Sequence, residues 1–268
     1  MKCYICINEG KESALQLGNE LDVYISKTSK IQRVKNICDA EFAIVIGGDG
    51  TLLRFSQNIL ENSIPILAVN MGSLGFLTEI RSQDIYLVLE EFLDGKVNIV
   101  ERKFIEVIFK GVKYYALNEV ATTKCEAENL TAQEIKVNDV YLNTYLADGV
   151  IVATPTGSTG YSLSAGGPIM NLDVEALIIN PLAPHTLSAR PIIVGEKSLI
   201  TIKNLKSSAL KVVCDGVHIG VLQEEECLMV ALSEKKIQMI LPKNADYFSV
   251  LREKLGWGDS YVKRAQYQ

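Results

Sequence analysis

The apolar run Phe42–Ile46 and the glycines after it constrain the fold more than any other segment of this chain. The run suits one buried strand, and it leads directly into Gly47-Gly48-Asp49-Gly50-Thr51, where a helix-like pattern begins. Glycines let the backbone approach a ligand closely, and the amides at a helix N-terminus favour an anion. The segment predicts phosphate chemistry at this turn, with Asp49 as a base or a metal ligand. The alternative is a tight turn without a chemical role.

The composition places the chain among ordinary globular proteins. It has 268 residues, of which 48% are hydrophobic and 22% are charged, and its net charge is −5. This length suits one or two sizeable cores, and the acidic balance gives no electrostatic footprint for nucleic acid. The sequence shows no apolar run of about 18 residues and no signal-peptide pattern. We therefore expect a cytoplasmic protein with neither a membrane nor a nucleic acid as partner.

The cysteines and histidines give no indication of a metal site or a redox centre. Cys3 and Cys6 form a C-x-x-C pair, but both fall in the predicted strand Lys2–Ile7, where their side chains point to opposite faces. No second pair follows at metal-ligand spacing, and His185 and His218 are the only histidines. We therefore predict buried free thiols and no metal ligands among the site residues.

Residues 1–96 alternate between strand and helix patterns. The predicted strands are Lys2–Ile7, Phe42–Ile46 and Pro65–Asn70, and the predicted helices are Glu12–Glu20, Ser29–Ala40, Thr51–Ile59 and Asp84–Leu93. Such alternation is typical of a parallel sheet covered by helices. It predicts a Rossmann-like α/β domain.

Residues 97–242 change to short β-rich runs with few long helical patterns. The predicted strands are Phe104–Phe109, Tyr114–Ala121, Val140–Leu146, Val150–Thr154, Ser198–Lys203, Leu210–Cys214, Cys227–Leu232 and Ile237–Ile240. This change predicts a second, all-β domain of the sandwich type. Residues 243–268 are expected to form a helical tail that returns to the first domain. The predicted fold class is therefore α+β with two domains.

Three further segments bear on the turn at Asp49. Val69–Leu77 is another strand that ends in glycines, and ligands collect where such strands end in open α/β sheets. Asn118-Glu119 is a polar pair inside an apolar run, suited to bind a diol and an amine edge, with a solvated strand face as the alternative. Asp148–Gly167 joins a buried strand to a loop of glycines, hydroxyls and one tyrosine, which suits a nucleotide better than a linker.

Taken in order, these segments resemble the NAD kinases. The resemblance spans about residues 42–216 and rests on Gly47–Thr51, Asn70–Leu77, Asn118-Glu119, Asp148–Tyr161 and Pro184–Pro191. The glycine turn alone is shared with phosphofructokinases and with diacylglycerol and sphingosine kinases, whereas the Thr-Pro-Thr-Gly-Ser-Thr loop is more specific. The resemblance implies transfer of the terminal phosphoryl group of ATP to the 2′-hydroxyl of the adenosine ribose of NAD. It also implies Mg²⁺ or another divalent metal with ATP, and a homodimer or homotetramer.

The resemblance assigns roles to individual residues. Asp49 matches the general base, Gly50 accompanies it at the substrate, and Arg54 is placed to meet a phosphate. Asn118 and Glu119 match the pair that holds the adenosine part of NAD. The other residues carried over would line the NAD pocket: Phe76, Asp148, Thr159, Gly160, Tyr161, Ser162, Leu163, Ser164 and Ala183.

The sequence departs from the family pattern at two positions. Leu146 stands where relatives commonly carry a basic residue, which puts a phosphate contact between subunits in doubt, and Gly160 replaces a frequent alanine. Two other functions stay open at this point. One is a lipid kinase of the diacylglycerol type that shares the turn, although the sequence shows no basic amphipathic helix. The other is a nucleotide-binding sensor without catalysis, against which the presence of Asp49 argues.

Overall fold

The computed structural model describes residues 1–72, 75–126 and 131–257. The chain divides into two compact units, of which one comprises Met1–Glu101 and the chain from Ile237 onward, and the other Arg102–Lys236. Within the described ranges, none of the helices has the length and apolar character needed to cross a membrane.

The first unit is built on parallel strands with helices between them. Its strands are β1 (Lys2–Ile7), β2 (Gln32–Arg33), β3 (Phe42–Gly47), β4 (Ile66–Asn70) and β5 (Ile80–Arg81). Its helices are α1 (Glu12–Lys27), α2 (Asp49–Asn62) and α3 (Ile85–Leu93), with short 3-10 turns at Ile37–Asp39 and Ser82–Asp84. β1 lies between β2 and β3, and β4 pairs with both β3 and β5, in every case in parallel.

The centre of this unit is β3, every residue of which is buried. Phe42, Ile44 and Ile46 lie in one apolar cluster with Leu21 of α1 and Leu89 of α3. A parallel strand that is covered on both faces has a continuous apolar sequence, so this strand can be predicted from the sequence. The carboxyl end of β3 then leads directly into α2.

The predicted helix Ser29–Ala40 is wrong. The segment contains β2 and a 3-10 turn, because its backbone pairs with β1. The amide of Gln32 donates to the carbonyl of Met1 at 2.9 Å, and that of Val34 to the carbonyl of Cys3 at 2.9 Å. The spacing of its apolar residues favours a helix, but pairing along the sheet edge supplies the backbone partners that a helix would otherwise provide.

The second unit consists mainly of antiparallel strands. They are β6 (Asn98–Phe109), β7 (Val112–Ala116), β8 (Glu119–Lys124), β9 (Thr131–Val137), β10 (Val140–Ala147), β11 (Gly149–Ala153), β12 (Ala176–Leu182), β13 (Ile192–Gly195), β14 (Ile200–Asn204), β15 (Leu210–Cys214), β16 (Val217–Leu222) and β17 (Cys227–Leu241). The start of β6 and the end of β17 belong to the first unit. The short helix α4 (Tyr161–Ser164) and a 3-10 turn at Thr156–Thr159 follow β11.

Two sheets of this unit share one core. One sheet has the order β13-β12-β11-β8-β15-β16, and the other contains β10-β9-β14 with the first part of β17. Ile135 and Ile202 of one sheet lie in the same apolar cluster as Val150, Val152 and Val212 of the other. The prediction of an α+β protein with an α/β first part and a sheet-rich second part is therefore confirmed.

The chain returns to the first unit through the end of β17. Met239 of this strand pairs in parallel with Ile66 of β4. The helix α5 (Tyr247–Leu255) follows, and the side chain of Asp246 caps it by accepting a hydrogen bond from the amide of Phe248 at 3.0 Å.

Candidate functional site

The carboxylate of Asp49 is enclosed by backbone amides. Asp49 begins α2 directly after the turn that ends β3. Its Oδ2 accepts a hydrogen bond from the amide of Phe76 at 2.9 Å. Its Oδ1 accepts three, from the amide of Leu77 at 3.1 Å and from the amide and hydroxyl of Thr78 at 3.0 and 2.8 Å. One carboxylate thus joins the turns after β3 and β4.

The packing around this carboxylate explains one of the glycines. A Cβ atom at Gly75 would lie 2.1 Å from Asp49 Oδ1 and 2.3 Å from Thr78 Oγ1, so a side chain cannot fit there. Asn70 supports the same segment, because its Nδ2 donates to Thr78 Oγ1 at 2.6 Å. Ser73 and Leu74, which belong to the predicted glycine segment, lie outside the described residues.

Gly48 and Gly50 differ from Gly75. A Cβ atom at either position would have no described atom within 4 Å. The fold therefore leaves space beside the N-terminus of α2, where backbone amides point outward and an anion is favoured. A phosphate at this turn stays a prediction of the sequence, and the described residues leave room for it.

A surface pocket of about 370 Å³ lies beside the same helix. It is lined by the end of β1 and the start of α2, including Asn8, Gly10, Thr51 and Arg54. Asn8 Nδ2 donates to Thr51 Oγ1 at 3.2 Å, while the Arg54 side chain is exposed. The pocket has the size of a small-molecule site, and its lining carries one cationic side chain, Arg54, and one acidic side chain, Glu9.

Cys6 also lines this pocket, as a free thiol. Burial raises the pKa of Cys6 to about 11, so the neutral thiol predominates at physiological pH. Across the parts of the chain that the structure describes, no group of three or more His, Cys, Asp and Glu side chains is arranged to hold a metal ion.

In the second unit, the predicted strand Tyr114–Ala121 is wrong because the chain breaks between β7 and β8. The cause is Asp215, whose carboxylate accepts hydrogen bonds from three consecutive amides. These are the amides of Leu117 at 2.6 Å, Asn118 at 2.8 Å and Glu119 at 3.0 Å. Because these amides are satisfied by a side chain, the segment does not need a strand partner here.

Asn118 and Glu119 are buried, yet each keeps a polar atom that has no partner in the described part of the chain. Among the described residues, nothing forms a hydrogen bond with Asn118 Oδ1 or Glu119 Oε2. Native structures satisfy most buried polar atoms, and exceptions mark strain, a functional site or a missing ligand. Both atoms accept hydrogen bonds, so they suit a ligand that offers amine or hydroxyl donors.

The protonation of Glu119 is shifted by its surroundings. Burial and, after it, the nearby charge of Asp215 raise the pKa of Glu119 from 4.5 to about 7, while a hydrogen bond from the Tyr161 amide opposes the rise. Burial also raises the pKa of Asp215, against the three amides that stabilise its charged form. Carboxylic acids with perturbed pKa values are frequent at functional sites.

The glycine- and hydroxyl-rich loop after β11 packs against this pair. Thr154 Oγ1 donates to the carbonyl of Leu117 at 2.7 Å and accepts from the amide of Gly157 at 3.0 Å. A Cβ atom at Gly157 would lie 2.1 Å from the carbonyl oxygen of Asn118, so only glycine fits. A Cβ atom at Gly160 would lie 3.1 Å from Glu119 Oε2, which places this residue beside the unpartnered oxygen.

The predicted residues Thr159–Ser164 therefore adjoin Asn118 and Glu119, but they differ in their surroundings. The Tyr161 side chain is 40% exposed and begins α4. Ser162 is buried and bonded within the unit, since Asn180 Nδ2 donates to its carbonyl at 3.0 Å. Thr159 and Leu163 are partly buried, and Ser164 is exposed.

Asp148 and Ala183 are not brought to this end of the sheet. Ala153 of β11 is paired with Glu119, whereas Gly149, at the other end of β11, is paired with Thr123 and Leu182. The two ends are about 13 Å apart along the strand at roughly 3.3 Å per residue. Asp148 Oδ1 instead lies 2.7 Å from Lys124 Nζ. Within one copy of this unit, the predicted residues thus form two separate groups.

Asp215 and Thr78 also belong to the candidate site, although neither stands in a motif that marks it as a site residue. An Asp-Gly pair between two apolar runs predicts a hairpin turn, which is present at Asp215-Gly216. The pattern gives no sign that the aspartate also reaches the amides before β8. Thr78 follows the glycine segment, and its contact with Asp49 depends on how two turns meet in space.

Two family models match the chain. Residues 5–97 match the ATP-NAD kinase N-terminal domain, and residues 117–241 match the ATP-NAD kinase C-terminal domain. The NAD kinase of Fusobacterium nucleatum is 42% identical over 264 residues, which cover 97% of this chain and 99% of that relative. The NAD kinase of Trichlorobacter lovleyi is 40% identical over 228 residues, which cover 82% of this chain and 80% of that relative.

Two solved structures have a similar fold. Yeast NADH kinase complexed with NADH has a TM-score of 0.85 at 23% identity, with 96% of this chain and 88% of that chain covered. An NAD kinase from Archaeoglobus fulgidus in complex with ATP has a TM-score of 0.77 at 24% identity, with 94% of this chain and 99% of that chain covered. At these identities the likeness concerns the fold alone.

Proposed function

We infer that this chain, which belongs to the ATP-NAD kinase family, is an enzyme that phosphorylates NAD to NADP with ATP. The structural observation that supports this proposal is a pair of buried acceptor atoms, Asn118 Oδ1 and Glu119 Oε2, that have no hydrogen-bond partner among the described residues. They lie beside the loop that contains Gly160 and Tyr161. An adenosine group offers an exocyclic amine and ribose hydroxyls, which are the donors that these two oxygens lack.

We propose that the reacting group is the 2′-hydroxyl of the adenosine ribose and that Asp49 is its base. A hydroxyl is a weak nucleophile at neutral pH, so a carboxylate that accepts its proton assists the attack on the terminal phosphorus of ATP. Oδ1 of Asp49 already accepts three hydrogen bonds and Oδ2 only one. Oδ2 therefore keeps the capacity to take the proton, while Oδ1 fixes the orientation of the group.

The phosphates of ATP are proposed to rest on the turn before α2. The open space at Gly48 and Gly50 lies at the N-terminus of this helix, and Arg54 follows one turn later. Phosphoryl transfer depends mainly on positioning and on neutralising charge at the phosphoryl oxygens. Mg²⁺ is commonly bound through substrate phosphates with few protein ligands, so we propose that a divalent metal accompanies ATP.

Replacing Asn118 with alanine is expected to weaken the use of NAD without unfolding the protein. The backbone of Asn118 is held by Asp215, and its Oδ1 has no described partner, so the fold does not depend on this oxygen. A lost hydrogen bond to a buried ligand donor costs roughly 1–3 kcal/mol. The KM for NAD should therefore rise by about 5- to 150-fold, while the KM for ATP serves as the internal control. Equal weakening for both substrates would assign the residue to the fold.

One assay separates the three functions that the sequence leaves open. The purified protein is incubated with ATP, Mg²⁺ and either NAD or dispersed diacylglycerol. We expect NADP with the first acceptor and no phospholipid with the second. Lipid phosphorylation would favour the diacylglycerol-type kinase, and the absence of both products would favour a nucleotide-binding sensor.

We also propose a homodimer or a homotetramer, in which Leu146 is informative. Leu146 is 42% exposed on β10, which ends the order of the described strands in its sheet. If a second copy brings a substrate phosphate to this strand, Leu146→Arg adds a charge-assisted hydrogen bond worth roughly 1.5–3 kcal/mol. Binding of NAD or NADP should then tighten by about tenfold or more.

The exposure of Leu146 makes this variant easy to interpret. A buried leucine would open the core when replaced, whereas the melting temperature of Leu146→Arg should stay close to that of the unmodified protein. Calorimetric titration with NADP and a melting curve on the same sample provide both readouts. A drop in stability without tighter binding would remove Leu146 from the pocket.

A further inference from the structure

The turn between β15 and β16 contains a side chain that does more than a turn requires. Asp215 and Gly216 join these strands, and both have positive φ angles, of 46° and 81°. This is the backbone of a two-residue hairpin turn, which Asn-Gly and Gly-Gly serve equally well. The turn itself therefore does not demand a carboxylate at position 215.

The carboxylate has a separate use outside the turn. It accepts the amides of Leu117, Asn118 and Glu119 within 3.0 Å, and the amide of Asp215 donates to the carbonyl of Glu119 at 3.1 Å. Thr154 holds the same segment from its carbonyl side, at Leu117 and Asn118. The backbone is thus clamped on both sides, so the side chains of Asn118 and Glu119 are not required to hold it.

We propose that Asp215 is a positioning residue for NAD, which holds Asn118 and Glu119 in the conformation that receives the adenosine part. This inference rests on the proposed function. Asp215 acts through the pair and not on the reacting atoms. Without its carboxylate, three consecutive amides lose their acceptor, and the break between β7 and β8 loses the contact that defines it.

A second effect of Asp215 is electrostatic. Among the described residues, the titratable groups around Glu119 are Asp215 and Cys214, and the backbone amide of Tyr161 donates a hydrogen bond to its carboxylate. Burial, Asp215 and Glu119 raise the pKa of Cys214 to about 12, so this thiol stays neutral. Burial raises the pKa of Glu119 most, and Asp215 is the charged group that raises it further. Its removal should lower that pKa, and the ionised acceptor should persist to lower pH.

Asp215→Asn is the variant that tests the proposal, because asparagine suits the turn but presents an NH₂ group to one of the three amides. We expect the KM for NAD to rise at least about tenfold, which corresponds to the loss of one hydrogen bond to a charged group. The KM for ATP should stay within about twofold. Asp139→Asn is the matched control, since Asp139 also occupies a positive-φ turn position, between β9 and β10, and should leave both constants unchanged.

The pH profile gives a readout that a purely structural role would not change. In the unmodified enzyme, the KM for NAD should rise as the pH falls through about 7, where Glu119 becomes protonated. In Asp215→Asn this rise should occur at lower pH. Glu119→Gln should abolish the rise in either background.

If Asp215→Asn does not fold, Asp215→Gly keeps a sequence that fits the turn and removes the side chain, and the same constants are measured on it. An unchanged KM for NAD in the folded variant, or an equal rise in the KM values for NAD and ATP, would overturn the positioning role. The proposed function would still stand in that case if the unmodified protein forms NADP. Failure of the unmodified protein to form NADP would overturn both.

Discussion

The Asp49→Asn variant is expected to lose turnover by about 10²–10⁴-fold, the range that general base catalysis typically contributes. Asparagine keeps the size of the side chain but cannot accept the proton of the ribose hydroxyl. NAD binding should be largely kept, because the adenosine contacts assigned to Asn118 and Glu119 are unchanged. Steady-state turnover with NAD and ATP and the dissociation constant for NAD are the measurements. Near-normal turnover would remove Asp49 from the role of base.

The structure adds a control for this variant. An amide at position 49 also places an NH₂ group among donors that now face a carboxylate. Thr78→Val removes the hydroxyl that donates to Asp49 Oδ1 while the base stays in place. We expect a much smaller loss of turnover in Thr78→Val. A loss as large as that of Asp49→Asn would mean that the carboxylate acts by ordering the segment at Phe76–Thr78.

The Glu119→Gln variant is expected to become more stable than the unmodified protein at alkaline pH while losing affinity for NAD. The pKa of Glu119 is about 7 in the folded protein, against an ordinary value of 4.5. Between these two pH values the folded state therefore binds a proton that the unfolded state does not. The free energy of unfolding of the unmodified protein therefore falls as the pH rises from about 4.5 to 7, by up to about 3 kcal/mol. Glutamine does not titrate and avoids this loss.

The check is the difference in melting temperature between the two proteins at pH 5 and at pH 8. The difference should favour Glu119→Gln by several degrees more at pH 8, because only the unmodified protein then has an ionised carboxylate at this buried position. The KM for NAD should rise in the same variant. A difference in melting temperature that does not depend on pH would contradict the raised pKa.

The sequence was sufficient to predict strands that are buried on both faces, because their residues are apolar throughout. Phe42–Ile46 is apolar throughout because β3 is covered on both sides. The end of this strand determines where α2 begins, at Asp49. Ser29–Ala40 was mispredicted because its apolar spacing favours a helix, whereas pairing with β1 decides its structure. Local pattern is informative where burial dominates and fails where a partner strand supplies the hydrogen bonds.

The candidate site shows the same division. Asp49, Asn118 and Glu119 are recognisable because they stand in short motifs, as does Gly160. Asp215 lies nearly a hundred residues from the amides that it binds, and nothing in its own turn indicates this contact. The separation of Asp148 from Glu119 follows from the register of β11 against β8, which the sequence of either strand does not specify.

The glycines of the site belong to two groups that evolution would treat differently. At Gly75 and Gly157, an added Cβ atom would lie 2.1 Å from a carboxylate oxygen and a carbonyl oxygen of this chain, so the fold excludes a side chain there. At Gly48 and Gly50, no atom of the described residues lies within 4 Å of where a Cβ atom would stand, so their packing tolerates alanine there. Packing among the described residues therefore does not require glycine at these two positions, so alanine substitution there tests the proposed phosphate contact without creating a packing defect.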